Sequence, residues 1–288
     1  MGRRRSTSMK HASRRGNRYL TPEGMLERPR PDLDPDPRPK SPSMAVHFTD
    51  CNSHVPPSPL TSSSGTPLRV LITAGPTWEP VDEVRFLGNR SSGRLGAQMA
   101  MAACQRGLPT TLLRGPATAE PAPDPLLTEQ RFQTASELDA ALHLAWPDHD
   151  ILIMAAAVAD HRPIRDPEAP RKIRRSEAGF TIRTEPVPDL LKGLADVPHR
   201  GTRIGFALEP AGELARNARE KLQRKRLDAI VANPLETMDA EVIDGMLIDA
   251  DGREQSPGDG PVEKAAFAAW LIERIIDLHG RRRSLLND

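Results

Sequence analysis

The chain has 288 residues, a formal net charge of +1 and two cysteines. The near-balanced charge gives no electrostatic case for nucleic-acid binding, and two cysteines are too few for a disulfide framework. No stretch is apolar and long enough to span a membrane. Together these point to a cytoplasmic protein in a reducing compartment, with neither membrane nor nucleic acid as its partner.

The chain is not uniform. Residues 1–67 carry eleven of the 29 prolines, and seven Lys or Arg precede the first acid, Glu23. With no apolar periodicity, this segment cannot offset its ordering entropy and is predicted to be a disordered, solvated tail. Asp32, Asp34 and Asp36 argue against a transit peptide, no signal-peptide core is present, and Met44 is a more economical start. The folded unit is expected over residues 68–280, enough for one α/β core.

Within that unit, Arg69 to Ala74 is a short β-branched run closed by Gly75-Pro76, which predicts a buried strand. A long loop follows, carrying Glu79, Asp82, Glu83 and Arg85. Asn89-Arg90-Ser91-Ser92-Gly93 then supplies cap-type side chains for a helix ending at Gly107. Strands are expected at Thr110–Arg114 and Gln130–Thr134, with an exposed loop from Ala117 to Pro125 between them. A helix from Glu137 to Ala145 is expected next, capped by Ser136. Asp150 to Ala157 reads as the strongest strand, seven apolar residues in a row, as in a parallel sheet covered on both faces.

A charged stretch, Arg171 to Arg175, turns near Glu177 to Gly179 into Phe180 to Thr184, which predicts an exposed hairpin acting as a lid. Pro188-Asp189 opens a short helix through Leu194. Arg203–Leu208 and Asp228–Asn233 are further strands, separated by a helix from Gly212 to Arg226. Gly245 to Arg253 reads as a hairpin with an Asp251-Gly252 turn, and Val262 to His279 as a closing helix. Alternating strands and helices predict a Rossmann-like, doubly wound, mostly parallel sheet.

Ligands of open parallel sheets bind outside the carboxyl ends of the strands. Polar residues gather there: the loop from Gly75 to Gly93, then Asp160, Glu209 and Asn233 after three later strands. Each alone has a plain reading, Asp160 as a cap, Asn233 as a turn residue and Glu209 as a solvated acid; their convergence favours a site. A nicotinamide fingerprint, G-x-G-x-x-G, is absent from the first strand–helix connection, as is the G-K-[ST] of a Walker A loop. Ser91, Ser92 and Gly93 still offer hydroxyls and free N–H groups to a phosphate. Lys221 and Lys225 share one helical face, where like charges are unfavourable unless an anion or an acid lies nearby. Spacing alone leaves a solvated face equally open.

Five motifs, in order, resemble those of phosphopantothenoylcysteine synthetase (phosphopantothenate–cysteine ligase), a family found as the C-terminal half of a bifunctional flavoprotein. They are ITAGPTWEPVDEVRFLGNRSSGRLG, AAAVAD followed by His161-Arg162-Pro163, Lys172 to Arg175, GFALEP, and AREKLQRKRLDAIVAN. The resemblance covers about Leu68 to Ile276.

The resemblance implies a dimeric Rossmann-like ligase that uses CTP and Mg2+. The carboxylate of 4'-phosphopantothenate attacks the α-phosphate, giving an acyl-cytidylate and pyrophosphate, and the amine of cysteine then attacks the acyl carbon. The asparagine tied to that intermediate falls on Asn89, and a lid lysine on Lys172. Nucleotide contacts fall on Met154, Ala155, Ala156, Asp160, Lys172, Pro188, Asp189, Leu190, Leu191, Phe206, Lys221 and Lys225. Ser91, Ser92, Gly93 and Arg94 would hold substrate phosphate, and no metal ligand is assigned. The chain departs from the family pattern at Arg94, where lysine is usual, at His161, where tyrosine is usual, at Arg174-Arg175, and at Pro210. No flavin half is recognisable, so no FMN is expected, and a separate protein is expected to decarboxylate the product. The alternatives are a nicotinamide-dependent reductase on the same fold, or a non-catalytic nucleotide-binding relative.

Overall fold

A computed structural model describes residues 65–287, apart from 166–167, 169–170, 176–178 and 239. The expected disordered tail therefore lies outside the described residues, except for its last three positions. Those three are exposed, and Leu68 is the first described residue to be buried.

Strand β1 (Val70–Ala74) is followed by two short strands that the sequence pattern did not mark, β2 (Trp78–Pro80) and β3 (Phe86–Gly88). They pair antiparallel within the long loop, and Trp78 stacks on Phe86 with ring centroids 3.9 Å apart. Then come α1 (Arg94–Gln105), β4 (Thr110–Arg114) and β5 (Leu127–Arg131). Strand β5 begins three residues before the expected position. It is an exposed edge strand whose Glu129, Gln130 and Arg131 suit an edge that must not recruit another strand. In the loop before it, Thr118 and Pro121 are buried. Helix α2 (Ala135–Ala145) is capped by Thr134, not Ser136, through a bond from the Glu137 N–H to the Thr134 hydroxyl.

Strand β6 (Ile151–Met154) is shorter than its apolar run. The predicted hairpin over Lys172 is not formed as expected. Instead β7 (His161–Pro163) pairs antiparallel with β8 (Thr184–Pro186), further out on both sides. Of its expected turn at Glu177 to Gly179, residues 177–178 lie outside the described residues. The remaining elements are α3 (Leu190–Ala195), β9 (Thr202–Glu209), α4 (Leu214–Arg224), β10 (Ala229–Pro234), β11 (Val242–Ile243), β12 (Met246–Asp249), β13 (Glu254–Gln255), β14 (Val262–Glu263) and α5 (Lys264–Asn287). The β12–β13 hairpin is as expected, the β11–β14 pair was not foreseen, and α5 runs eight residues past His279.

The main sheet has the order β13-β12-β10-β9-β6-β1-β4-β5. Strands β10, β9, β6, β1, β4 and β5 are parallel, and β12 and β13 close one edge antiparallel. This is the doubly wound Rossmann-like arrangement expected. Alternating residues of each strand feed two cores. Val70, Ile72, Ile151, Ile153 and Ile204 pack against α1 and α5 on one face. Leu71, Leu152, Met154 and Ile230 pack against α2, α3 and α4 on the other. From β1 the chain moves outward through β4 and β5, then returns to lay β6 on the opposite side. The β1/β6 boundary is therefore the switch point where such sheets open a crevice.

The amino ends of β9 and β10 are closed by a largely buried polar network. Thr202 Oγ1 lies 2.9 Å from His279 Nδ1, and Arg282 donates to the same hydroxyl at 2.9 Å. Arg282 also pairs with Asp228 at 2.8 Å. Asp228 accepts from the Arg203 N–H at 2.7 Å, and burial raises its pKa. Burial is the main cause lowering the His279 pKa to about 4; Arg283 and Arg282 lower it further and Asp150 opposes them. The folded chain thus holds this imidazole neutral while the unfolded chain protonates it at the ordinary value. Stability from this source is full above that value and is lost as pH falls through it toward 4. We expect the thermal midpoint to fall over that interval, and His279→Gln to flatten that part of the curve. Identical pH profiles for the two proteins would contradict it.

Candidate functional site

A cavity of about 840 Å3 opens over the carboxyl ends of β1, β6, β9 and β10. Its floor is stitched together beyond the strand ends. The Ala157 N–H donates to the Gly75 carbonyl at 2.9 Å and the Thr77 N–H to the Ala157 carbonyl at 3.2 Å. The Thr73 hydroxyl accepts the Ala156 N–H at 3.0 Å, and the Thr77 hydroxyl accepts the Ala159 N–H at 3.0 Å. These bonds explain why the apolar run after Asp150 leaves the regular ladder at Met154: its last residues pair with a loop instead.

One lip is the segment from Gly88 to Gly96. The Asn89 side-chain amide donates to the Val158 carbonyl at 2.9 Å, bridging the two lips. Gly93, and no side chain, caps α1: it has φ 61° and no side-chain cap bond, and its N–H donates to the Ser91 hydroxyl at 3.3 Å. Only glycine fits there. A Cβ would lie 2.3 Å from the Thr118 methyl and 2.9 Å from the Gly75 nitrogen, on top of the strain of a positive φ. Gly96 lets α1 lie close on β1, since its Cβ would meet that of Ala74 at 2.5 Å. The start of α1 therefore presents N–H groups with no intrahelical partner to the cavity.

Facing this lip are Met154, Ala155, Ala156 and Asp160 after β6, and Phe206 on β9. Pro188, Asp189, Leu190 and Leu191 from the start of α3 line it too, as do Lys221 and Lys225 at the end of α4. Asp189 caps α3 by accepting the Lys192 N–H at 3.2 Å and pairs with Lys225 Nζ at 3.0 Å. Burial, and then the like charge of Lys225, lower the Lys221 pKa, while Glu209 and Asp189 offset this. The two lysines thus form no solvated face; they line the cavity, with acids close by.

All but one of the residues marked by the family resemblance line this cavity, including Asn89, Ser91, Ser92, Gly93 and Arg94. Lys172 does not. It is exposed, in a segment docked on the loop between β2 and β3. Asp82 accepts the Ile173 N–H at 3.0 Å, Arg85 donates twice to the Ile173 carbonyl at 3.2 Å, and the Glu83 N–H donates to the Arg171 carbonyl at 3.0 Å. The acids of the long loop serve similar structural ends and leave the cavity to others. Buried Glu79 accepts the Ala135 N–H at the start of α2, at 2.8 Å. Arg94 lies on the cavity wall, its guanidinium against the Glu241 carboxylate. Lys264, Thr237 and Ile243 also line the cavity and escaped the sequence reading. Lys264 opens a helix whose apolar spacing speaks only of core, so nothing marked it.

The chain matches the family model described as the DNA/pantothenate metabolism flavoprotein C-terminal domain over residues 66–278. The chain belongs to that family. It is 40% identical over 170 residues to the coenzyme A biosynthesis bifunctional protein CoaBC of Escherichia coli K12, covering 58% of this chain and 41% of that protein. It is 35% identical over 222 residues to the protein of the same name in Mycobacterium bovis, covering 72% and 52%. The chain thus spans about half the length of the curated relatives it matches. Among solved structures, the C-terminal domain of a CoaBC superposes with a TM-score of 0.59 at 29% identity, over 77% of this chain and 97% of that one. A Cab2 variant in complex with phosphopantothenate-cysteine shares the fold, with a TM-score of 0.64 at 18% identity over 77% and 89%.

Asp82 is held as a carboxylate. Burial works against its charge, but the N–H groups of Ile173, Val84 and Arg85 and the Arg85 guanidinium outweigh it and bring its pKa to about 2. Asp82→Asn is therefore expected to loosen the docked segment and speed limited tryptic cleavage at Arg171 to Arg175 by roughly tenfold. Unchanged cleavage in a variant with unaltered circular dichroism would contradict it.

Proposed function

We propose that this chain ligates cysteine to 4'-phosphopantothenate in coenzyme A biosynthesis, using CTP and passing through an acyl-cytidylate. One observation carries the reading. A single cavity at the sheet's switch point brings the α1 N-terminus and Asn89 on one lip opposite Lys221 and Lys225 on the other. The name of the bifunctional CoaBC relatives supports the pathway.

The chemistry suits that layout. The phosphopantothenate carboxylate attacks the α-phosphorus of CTP, the P–O bond to the β-phosphate breaks, and pyrophosphate leaves. The cysteine amine then attacks the acyl carbon, the C–O bond to CMP breaks, and the amine sheds a proton. Lys221 and Lys225 offset charge on the triphosphate and the leaving pyrophosphate, and the α1 N–H groups serve a second phosphate. One N–H of the Asn89 amide is committed to Val158, and the role proposed for the other is to donate to the oxygen gaining charge. Met154 to Ala156 and Phe206 offer backbone edges and an apolar wall to the nucleoside. Lys172 belongs to this reading as a cation on the segment docked against the β2–β3 loop.

Mg2+ enters as the counter-ion of CTP, since triphosphates carry much of the coordination of this ion. The described residues contain no group of three or more His, Cys, Asp or Glu placed to hold a metal.

A homodimer is part of the proposal. Val84, Phe86 and Leu87 near the β2–β3 hairpin, with Ile164 and Ile182 flanking β7 and β8, are exposed apolar side chains on two small sheets in contact with each other. A second copy would cover them. Decarboxylation of the product is assigned to a separate flavoprotein partner.

The test is pyrophosphate release with CTP, 4'-phosphopantothenate and cysteine, repeated with ATP and with Asn89→Ala. We expect CTP-dependent release and formation of the cysteine adduct, reduced about 10²–10³-fold in the variant, as for loss of one donor to a developing charge. No release with either nucleotide would overturn the ligase reading. Thermal stabilisation by NADPH and not by CTP would favour a reductase.

A further inference from the structure

Thr118 stands directly behind the turn that opens α1. Its methyl carbon lies 2.3 Å from the place of a Cβ on Gly93, and its hydroxyl oxygen 1.7 Å from that of a Cβ on Gly75. The next residue completes the contact, its N–H donating from Ala119 to the Ser92 carbonyl at 3.0 Å. The loop after β4 thus backs the Ser91 to Gly93 turn without lining the cavity itself. We propose that Arg114, at the end of β4, is a positioning residue for this turn and acts on it through the loop from Gly115 to Glu120. The inference rests on the ligase reading, in which the N–H groups at the start of α1 serve a substrate phosphate.

The Arg114 side chain is only 7% exposed, and its guanidinium is used in three directions. Nη1 donates to the Thr118 carbonyl at 3.3 Å, Nη2 donates to the Glu120 carboxylate at 3.1 Å, and Nε lies 2.7 Å from the Glu129 carboxylate on β5. A planar fork can hold three fixed directions at once, and the point charge of a lysine cannot. Joining β4 to β5 would need the Glu129 pair alone. The other two bonds go to the loop, one on the residue that packs behind Gly93 and one just beyond Ala119.

The loop needs such a hold. Ala117 has φ 52°, a left-handed conformation that costs a residue with a Cβ and persists only where its surroundings impose it. On one side of Ala117 the Gly115 N–H donates to the Ala74 carbonyl at 2.8 Å; on the other, Arg114 holds the Thr118 carbonyl. Without Arg114, residue 117 is free to relax, and Thr118 and Ala119 move off Gly93 and Ser92. The effect reaches the site through one peptide unit. The Ser92 carbonyl, held by Ala119, and the Gly93 N–H, which donates to the Ser91 hydroxyl at 3.3 Å, belong to the same rigid plane. The loop therefore sets both the direction of the Ser91 hydroxyl and the way the chain enters α1, whose first N–H groups face the cavity.

Arg114→Met, Arg114→Lys and Thr118→Ser test this. Thr118→Ser removes the methyl behind Gly93 and leaves the Thr118 carbonyl in place for Arg114. Turnover is read as pyrophosphate release at varied 4'-phosphopantothenate and varied CTP, and backbone motion as amide hydrogen exchange of peptides covering residues 90–99 in the ligand-free chain. We expect Arg114→Met to raise KM for phosphopantothenate about tenfold and to quicken exchange at the start of α1 by a similar factor. KM for CTP should stay within about twofold, because Lys221 and Lys225 stand on other elements. Arg114→Lys should lie nearer to Arg114→Met than to the wild type, and Thr118→Ser should shift the same KM by about threefold. Unchanged exchange and unchanged KM for phosphopantothenate in both Arg114→Met and Thr118→Ser would overturn the positioning role, as would an equal rise in the two KM values; either leaves the ligase reading intact. Quickened exchange in the variants of a wild-type chain that releases no pyrophosphate would do the reverse. If Arg114→Met lowers the thermal midpoint or does not fold, Thr118→Ser decides alone: wild-type KM and exchange in that variant count against the role.

Discussion

The cavity depends on how β1 and β6 continue beyond their own ends. Regular pairing between them stops at Thr73 and Met154. The chains then stay joined through Gly75, Thr77 and Ala157, with the hydroxyls of Thr73 and Thr77 taking backbone N–H groups from the opposite segment. Both hydroxyls are fully buried, so leaving those N–H groups unmet would cost on the order of 1–3 kcal/mol each. That penalty makes the floor of the crevice stiff. On this floor Asn89 reaches across to Val158 and Gly93 turns the chain into α1. Side chains on two strands and two helix ends can then converge to fixed positions, although they come from distant parts of the sequence.

Much of this was legible in the chain itself, for identifiable reasons. Long apolar runs such as Asp150 to Met154 mark strands buried on both faces, and six of the eight strands of the main sheet are of the parallel kind. Helix starts with a side-chain signal, such as Asp189, were also readable. What was hidden lay in elements too short to show a period. Strands β2 and β3 have three residues each, fewer than alternation needs. The helix cap moved from Ser136 to Thr134 because both residues satisfy the same chemistry and only the loop's arrival angle selects one.

The site shows the same division. Residues at strand ends and in polar helix starts were visible because a parallel sheet fixes where its carboxyl ends point. Glu79, Asp82 and Arg85 looked equally eligible, yet the β2–β3 excursion carries them to the α2 start and to the Ile173 backbone. Lys264 was invisible for the opposite reason. It sits at the first turn of a helix that packs as ordinary core, and only the three-dimensional meeting of α1 and α5 brings it to the cavity.

A cavity lined by cations must still fold before any anionic ligand arrives. Like charges gathered in a partly buried space oppose that. The chain answers with internal carboxylates beside three of these cations: Asp189 against Lys225, Glu241 against Arg94, and Glu209 near Lys221. The exposure of these acids decides how readily each yields. Glu241 is open to water, so its pair with Arg94 contributes little. Asp189 is tied to the α3 N-terminus as well, so it is expected to remain and to set how close a triphosphate approaches Lys225. Lys221, its pKa already lowered by burial and by its neighbour, gains most from a polyanion, because that charge reverses the unfavourable field around it. The same acids that let the empty cavity fold would therefore rank its cations by how strongly each responds to substrate.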